Sequence, residues 1–170
     1  MCLTETWLDK NTDNAVLVES SPSHFNFVSE TQQNRSGGDV CAIFRDNILT
    51  HKFSFGFFSS FEYVPFKIDI KQSSILYITI YKPPKNCFID DFTELPSIVS
   101  TAFDCLVITG DLNVDVAQDK QAKELISVLK MFGLTQHLTK PPPQQRAHSR
   151  CAHFKGCCYL KCECHQCSFI

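Results

Sequence analysis

Apolar residues along this chain fall into short runs with two distinct spacings. Cys105-Leu106-Val107-Ile108 is a continuous apolar run of the length a buried strand needs, and Gly110 is expected to let the backbone bend where that strand ends. Residues 39–45 ("DVCAIFR"), 51–57 ("HKFSFGF"), 61–70 ("FEYVPFKIDI") and 74–81 ("SILYITIY") have strand composition, with Pro65 pointing to an edge or a bulge. The turns "RSGG" and "KQSS" and the other connections are too short for helical crossovers, so these segments are expected as antiparallel neighbours. Alternation of Phe53, Phe55 and Phe57 reads as a core face in preference to a base-stacking platform. Residues 89–103 are expected to be helical after an Asp cap and kinked at Pro96. Ala122, Leu125, Ile126, Leu129 and Phe132 recur at three- and four-residue steps, which predicts a helix over about 118–132 stopped by Gly133. The order of elements predicts a layered α/β sandwich with two mixed, mostly antiparallel sheets flanked by helices, and there is no internal repeat.

Composition narrows this picture. The 170 residues are 44% hydrophobic, enough for one domain with a buried core. Sixteen basic against eighteen acidic residues give a net charge of −2, which excludes the uniformly basic surface of a non-specific DNA coat protein. A phosphate substrate would therefore need a metal or local positive charge. Met1 is followed at once by polar sequence, and no apolar run approaches the roughly 20 residues of a membrane span, so the expectation is a soluble intracellular protein, nuclear or cytoplasmic, acting as a monomer away from membranes. In that setting Cys2, Cys41, Cys87 and Cys105 are expected as reduced, mostly buried thiols.

Candidate chemistry is concentrated in "VITGDLNVD". Extended alternation would point Asp111 and Asn113 the same way, placing a carboxylate beside an amide at a strand's mouth. That pair suits a metal-bound phosphate. It equally suits an Asp-Leu-Asn turn whose side chains bond their own backbone. Glu5 ends a short strand-like segment, with Leu3 on its face and Cys2 and Thr4 on the other. By itself it is a surface acid.

In order, "LTETWLD", "RSGGDVCAIFRDNI", "SSFEYVPFKI", "IYKPPK", "VITGDLNVDV" and "KELISVLKMFGLTQHL" resemble the endonuclease/exonuclease/phosphatase superfamily. More narrowly they resemble the endonuclease domain of LINE-type non-LTR retrotransposons, similar to apurinic/apyrimidinic endonucleases and DNase I. The likeness covers residues 1–140 and implies a DNase I-like sandwich that hydrolyses DNA phosphodiesters with Mg²⁺, or alternatively Mn²⁺. It implies that Glu5 holds the metal, that Asp111 orients and helps deprotonate the attacking water, that Asn113 bonds the surroundings of Asp111 or a phosphate oxygen, and that Tyr81 lies against the phosphate or leaving group.

The pattern also breaks. Family members carry an Asn upstream of the "ETW" Glu, whereas Met1 stands four residues before Glu5. The Gly-His-Thr-Leu-Asp and Ser-Asp-His stretches do not follow Lys140, and neither His148 nor His153 is assigned to the missing His. A positioned acid or base contributes about 10²–10⁴ in rate, so the expectation is a domain incomplete at both ends, impaired or inactive, and unstable alone. Residues 141–170 differ in kind: Cys157, Cys162, Cys164 and Cys167 could in number supply a zinc site. Their spacing fits neither a paired C-x-x-C framework nor a zinc knuckle, so the tail reads first as an unstructured or miscoded end. Two alternatives stand beside the nuclease reading: a non-catalytic remnant that binds zinc or nucleic acid, and a phosphatase of the same superfamily.

Overall fold

A computed structural model of the chain describes residues 1–6, 13–30, 39–70, 73–84, 87–100, 102–103, 105–114, 120–136 and 160–162. Strands β1 (Cys2–Thr4), β2 (Phe25–Glu30) and β3 (Val40–Arg45) form an antiparallel sheet in the order β1-β3-β2. Strands β4 (Thr50–Lys52), β5 (Glu62–Ile70), β6 (Ser73–Tyr81), β7 (Cys105–Asp111), β8 (Leu134–Gln136) and β9 (Leu160–Cys162) form the second sheet, ordered β4-β5-β6-β7-β9-β8. Within it β6 and β7 run parallel, joined by helix α2 (Ile89–Val99), and the other pairs are antiparallel. Helix α1 is Asp13–Ser20 and helix α3 is Lys120–Met131.

Strand alternation sorts the side chains into layers. On β6, Leu76, Ile78 and Ile80 join Leu106 and Ile108 of β7 against Phe92, Leu95 and Val99 of α2 and Ala122, Leu125 and Leu129 of α3. The opposite face of the same sheet carries Val64, Phe66 and Tyr81, which pack on Val28, Val40 and Ala42 of the smaller sheet. Alternate residues of β3, Cys41 and Ile43, turn outward and are covered by Leu17 of α1. The result is helix, sheet, sheet, helices, the predicted sandwich. Each fully buried Leu or Ile contributes about 1.5–3 kcal/mol of transfer free energy to that stack.

Several local expectations change. The segment 39–45 is not a neighbour of 51–57, because β3 and β4 belong to different sheets. The strand expected over 51–57 ends at Lys52; Phe57 is 85% exposed and only Phe55 of the three packs against the core. Phe53 instead meets Phe55 and Phe103 ring to ring, so the aromatic alternation records local clustering rather than a strand face. Pro65 lies inside β5, one residue past the last β4 pair at Phe66, where its missing N–H breaks no bond to β4. Helix α2 is capped by the Phe88 backbone with no side-chain bond, and it continues through the buried Pro96 to end at Val99. Its Asp90 and Asp91 lie in the first turn, where the amide ends favour negative charge. Helix α1 and strand β2 carry too little amphipathic pattern to be foreseen. The "RSGG" turn falls outside the described residues. Leu160–Cys162, from the Cys-rich tail, pairs with both β7 and β8 and so covers the β7 edge at Val107 and Ile108. Cys2, Cys41 and Cys87 are free, with Cys41 buried and Cys87 exposed, but Cys105 is disulfide-bonded, contrary to the expectation of four reduced thiols. Among the described residues no helix is long and apolar enough to cross a membrane.

Candidate active site

The functional candidates collect where β1, β6 and β7 end side by side. Parallel pairing of β6 with β7 sets Tyr81 level with Asp111, and Ile80 level with Gly110. Gly110 is required by close approach rather than by a bend: with φ 139° it would carry a Cβ 1.7 Å from the Ile80 carbonyl oxygen. Beyond Asp111 the strand stops. Asn113 adopts φ 47°, so extended alternation does not reach it and the two side chains are aligned by hydrogen bonds instead. The Asn113 N–H donates to Asp111 Oδ1 at 2.8 Å, and Asn113 Nδ2 donates to the Lys82 carbonyl at 2.8 Å. The Lys82 N–H returns a bond to the Asp111 carbonyl at 2.8 Å. The Asp-Leu-Asn turn thus fixes the Asp111 and Asn113 side chains relative to each other.

Glu5 arrives from the other sheet. It follows β1 with φ 56°, a left-handed backbone uncommon outside glycine, and its carboxylate accepts the hydroxyl of Tyr81. Glu5 is exposed, whereas Tyr81 and Asp111 are each 6% exposed. Burial pushes the Tyr81 phenol well above the usual tyrosine range, and the bond to Glu5 and the charges of Glu5, Asp111 and Glu62 push it further. The hydroxyl thus stays protonated and donates. Beneath this group, the Cys2 thiol meets the hydroxyls of Tyr77, Thr79 and Thr109 at 3.2, 3.4 and 3.1 Å, a polar layer joining β1 to β6 and β7.

Glu5, Tyr81, Asp111 and Asn113 are thereby brought together. Of the tail candidates, Cys162 lies in β9, while Cys157, Cys164 and Cys167 lie outside the described residues. Among the described residues no group of three or more His, Cys, Asp or Glu is arranged to hold a metal ion. Carboxylates and an amide oxygen are hard donors, a chemistry that fits Mg²⁺, which keeps several waters and needs only one or two protein carboxylates. Glu5 would be the carboxylate that holds it, with Asp111 nearby.

Two neighbours were not foreseen. Lys82 is fully buried, with its Nζ donating to the Pro83 and Pro84 carbonyls at 3.1 and 3.4 Å and lying 5.3 Å from the Phe88 ring centroid. Glu62 is directly across from Tyr81 on β5 and buried. A signal existed for Glu62: in "FEYVPFKI" it shares a strand face with Val64 and Phe66, a lone acid heading an apolar stripe.

No protein-family model matches the chain, and no curated protein sequence matches it. Solved structures do. The endonuclease domain of TRAS1, a telomere-specific non-LTR retrotransposon, is similar with a TM-score of 0.63 at 16% identity, covering 82% of this chain and 66% of that domain. The D. rerio TDP2 structure complexed with single-strand DNA product aligns at 0.58 and 13% identity, over 94% of this chain and 69% of the other. The human Nocturnin catalytic domain with bound sulfate aligns at 0.55 and 9% identity, over 95% and 68%. The chain thus spans about two thirds of the length of the structures it matches. Two sheets face to face with helices outside are thus a fold shared with a retrotransposon endonuclease domain and with the TDP2 and Nocturnin structures.

Proposed function

We propose that the chain is a LINE-type endonuclease domain whose reaction is metal-dependent hydrolysis of a DNA phosphodiester. The observation that carries this reading is that Glu5 and Asp111, more than a hundred positions apart in sequence, both come to Tyr81, Glu5 by a bond from the tyrosine hydroxyl and Asp111 as its partner on the neighbouring strand. The ordered motifs and the likeness to the TRAS1 endonuclease domain support it.

In this reading Glu5 would hold Mg²⁺, which would supply positive charge against the scissile phosphate. Asp111, held rigid by the Asn113 N–H, orients a water and takes its proton as the water oxygen attacks phosphorus and the bond to the leaving oxygen breaks. Asn113 is held in place by the bond from its side-chain amide to the Lys82 carbonyl, and the second N–H of that amide could donate to a phosphate oxygen. Tyr81, neutral and donating, steadies Glu5 and can offer the same proton to a phosphate oxygen.

The test is plasmid nicking with Mg²⁺, with EDTA, and with Asp111→Ala. Nicking that EDTA abolishes and the substitution lowers by about 10²-fold or more supports the reading. Nicking unchanged in Asp111→Ala refutes the site, and absence of any nicking favours the non-catalytic alternative.

A further inference from the structure

Glu62 has no part in the chemistry proposed above, yet it is only 8% exposed at the head of a face that continues into core residues Val64 and Phe66. A carboxylate in such a layer is costly unless its oxygens are satisfied. Glu62 Oε2 accepts the Asp39 N–H at 2.5 Å. Asp39 has φ 63°, a strained backbone for a residue with a side chain, and the bond to Glu62 holds it there. Asp39 precedes Val40, the partner of Thr4, so it stands beside the point where the β1 ladder ends and Glu5 begins. Its carbonyl accepts the Thr6 N–H at 3.5 Å, on the far side of Glu5. From the other direction Glu62 pairs across the ladder with Tyr81, whose hydroxyl holds the Glu5 carboxylate. The contacts close a ring that runs from Glu62 through Asp39, Thr6, Glu5 and Tyr81 back to Glu62.

We propose that Glu62 is a positioning residue: through the Asp39 backbone it fixes the end of β1, and so holds the Glu5 carboxylate on Tyr81 between the two sheets. Its catalytic meaning rests on the nuclease reading, since Glu5 is the residue that would hold Mg²⁺. The Asp39 N–H asks for an acceptor at this position. Glutamine keeps the acceptor, and leucine keeps the shape without it.

The experiment compares Glu62→Leu and Glu62→Gln in the full chain, reading amide exchange at Asp39 and Thr6 and the Mg²⁺ concentration for half-maximal plasmid nicking. Glu62→Leu is expected to speed exchange at both amides and to raise the half-maximal Mg²⁺ concentration by about 10–100-fold, with a smaller change in the rate at saturating Mg²⁺. Glu62→Gln is expected to restore both readouts close to wild type, which a role of the charge would not do, while a role of shape alone would leave Glu62→Leu unimpaired. Glu62→Ala takes the place of the leucine variant if leucine disturbs the thermal melt. Unchanged exchange at Asp39 and Thr6 in the acceptor-free variant, or a glutamine variant as impaired as leucine, overturns the proposal. If wild type and Asp111→Ala nick equally, the nuclease reading fails, and the exchange measurement still decides whether Glu62 holds the β1 end.

Discussion

At the scale of single residues, the site is built from positions that other residues would not tolerate. A Cβ at Gly110 would sit 1.7 Å from the Ile80 carbonyl, where only backbone movement could relieve the clash. Gly110→Ala is therefore expected to cost at least about 4 kcal/mol, seen as a large fall in the denaturant midpoint, because β6 and β7 would have to part beneath Asp111. Cysteine chemistry separates two environments. Burial, with neighbouring Cys2 adding to it, pushes the Cys41 thiol up from 9.0 to about 11, while Cys87 is exposed. The raised value means the folded state keeps a proton the unfolded chain gives up. Its stabilising effect is whole below pH 9 and is lost as pH rises toward 11. Peptide-resolved alkylation of the native chain near pH 8 should label Cys87 and spare Cys41, and unfolding should become easier across that alkaline window; rapid native labelling of Cys41 would contradict the burial.

Among elements, α2 shows how side chains stitch layers together. Asp91 in its first turn accepts the N–H groups of Ser59 and Ser60 at 3.1 and 3.0 Å, pinning the segment before β5 to the helix. Hydrogen bonds from Ser60 and Ser59 hold its carboxyl below the usual carboxylate range, so this contribution is present above about pH 4 and disappears as pH falls through the lowered value. Asp91→Ala is expected to cost about 1–3 kcal/mol at neutral pH and progressively less in acid, measured by urea melts across the range. In α3, Leu125 is 1% exposed against the β6 and β7 layer, and Leu125→Ala is expected to cost about 2–5 kcal/mol. Helix α3, β6 and β7 were legible because each has one clean periodicity and one buried face. Helix α1 was not, since of its described side chains only Leu17 is buried and one anchor makes no pattern. Strand β9 was hidden by cysteines and lysines that mask a three-residue ladder. The 51–57 segment misled because alternating Phe residues satisfy the strand pattern while the backbone leaves the sheet after Lys52.

For the whole molecule, the two sheets matter less as a core than as a means of bringing distant termini of strands to one rim. Glu5 comes from the three-stranded sheet, Tyr81 and Asp111 from the six-stranded one, and the polar contacts of Cys2 with Tyr77, Thr79 and Thr109 tie the sheets together just below them. Sequence motifs could name Glu5, Tyr81, Asp111 and Asn113, yet not Glu62 or Lys82, whose importance exists only once β5, β6 and the 82–84 turn are packed. If Glu5 and Asp111 serve one catalytic unit, removing either should disable it. The most direct measurement is the Mg²⁺-dependent plasmid-nicking rate of Glu5→Gln, Asp111→Ala and the double variant against wild type. Each single substitution is expected to lower the rate by about 10²-fold or more, with the double variant no slower than the slower single one. Losses that multiply, or a single variant that nicks as fast as wild type, would contradict a single catalytic unit.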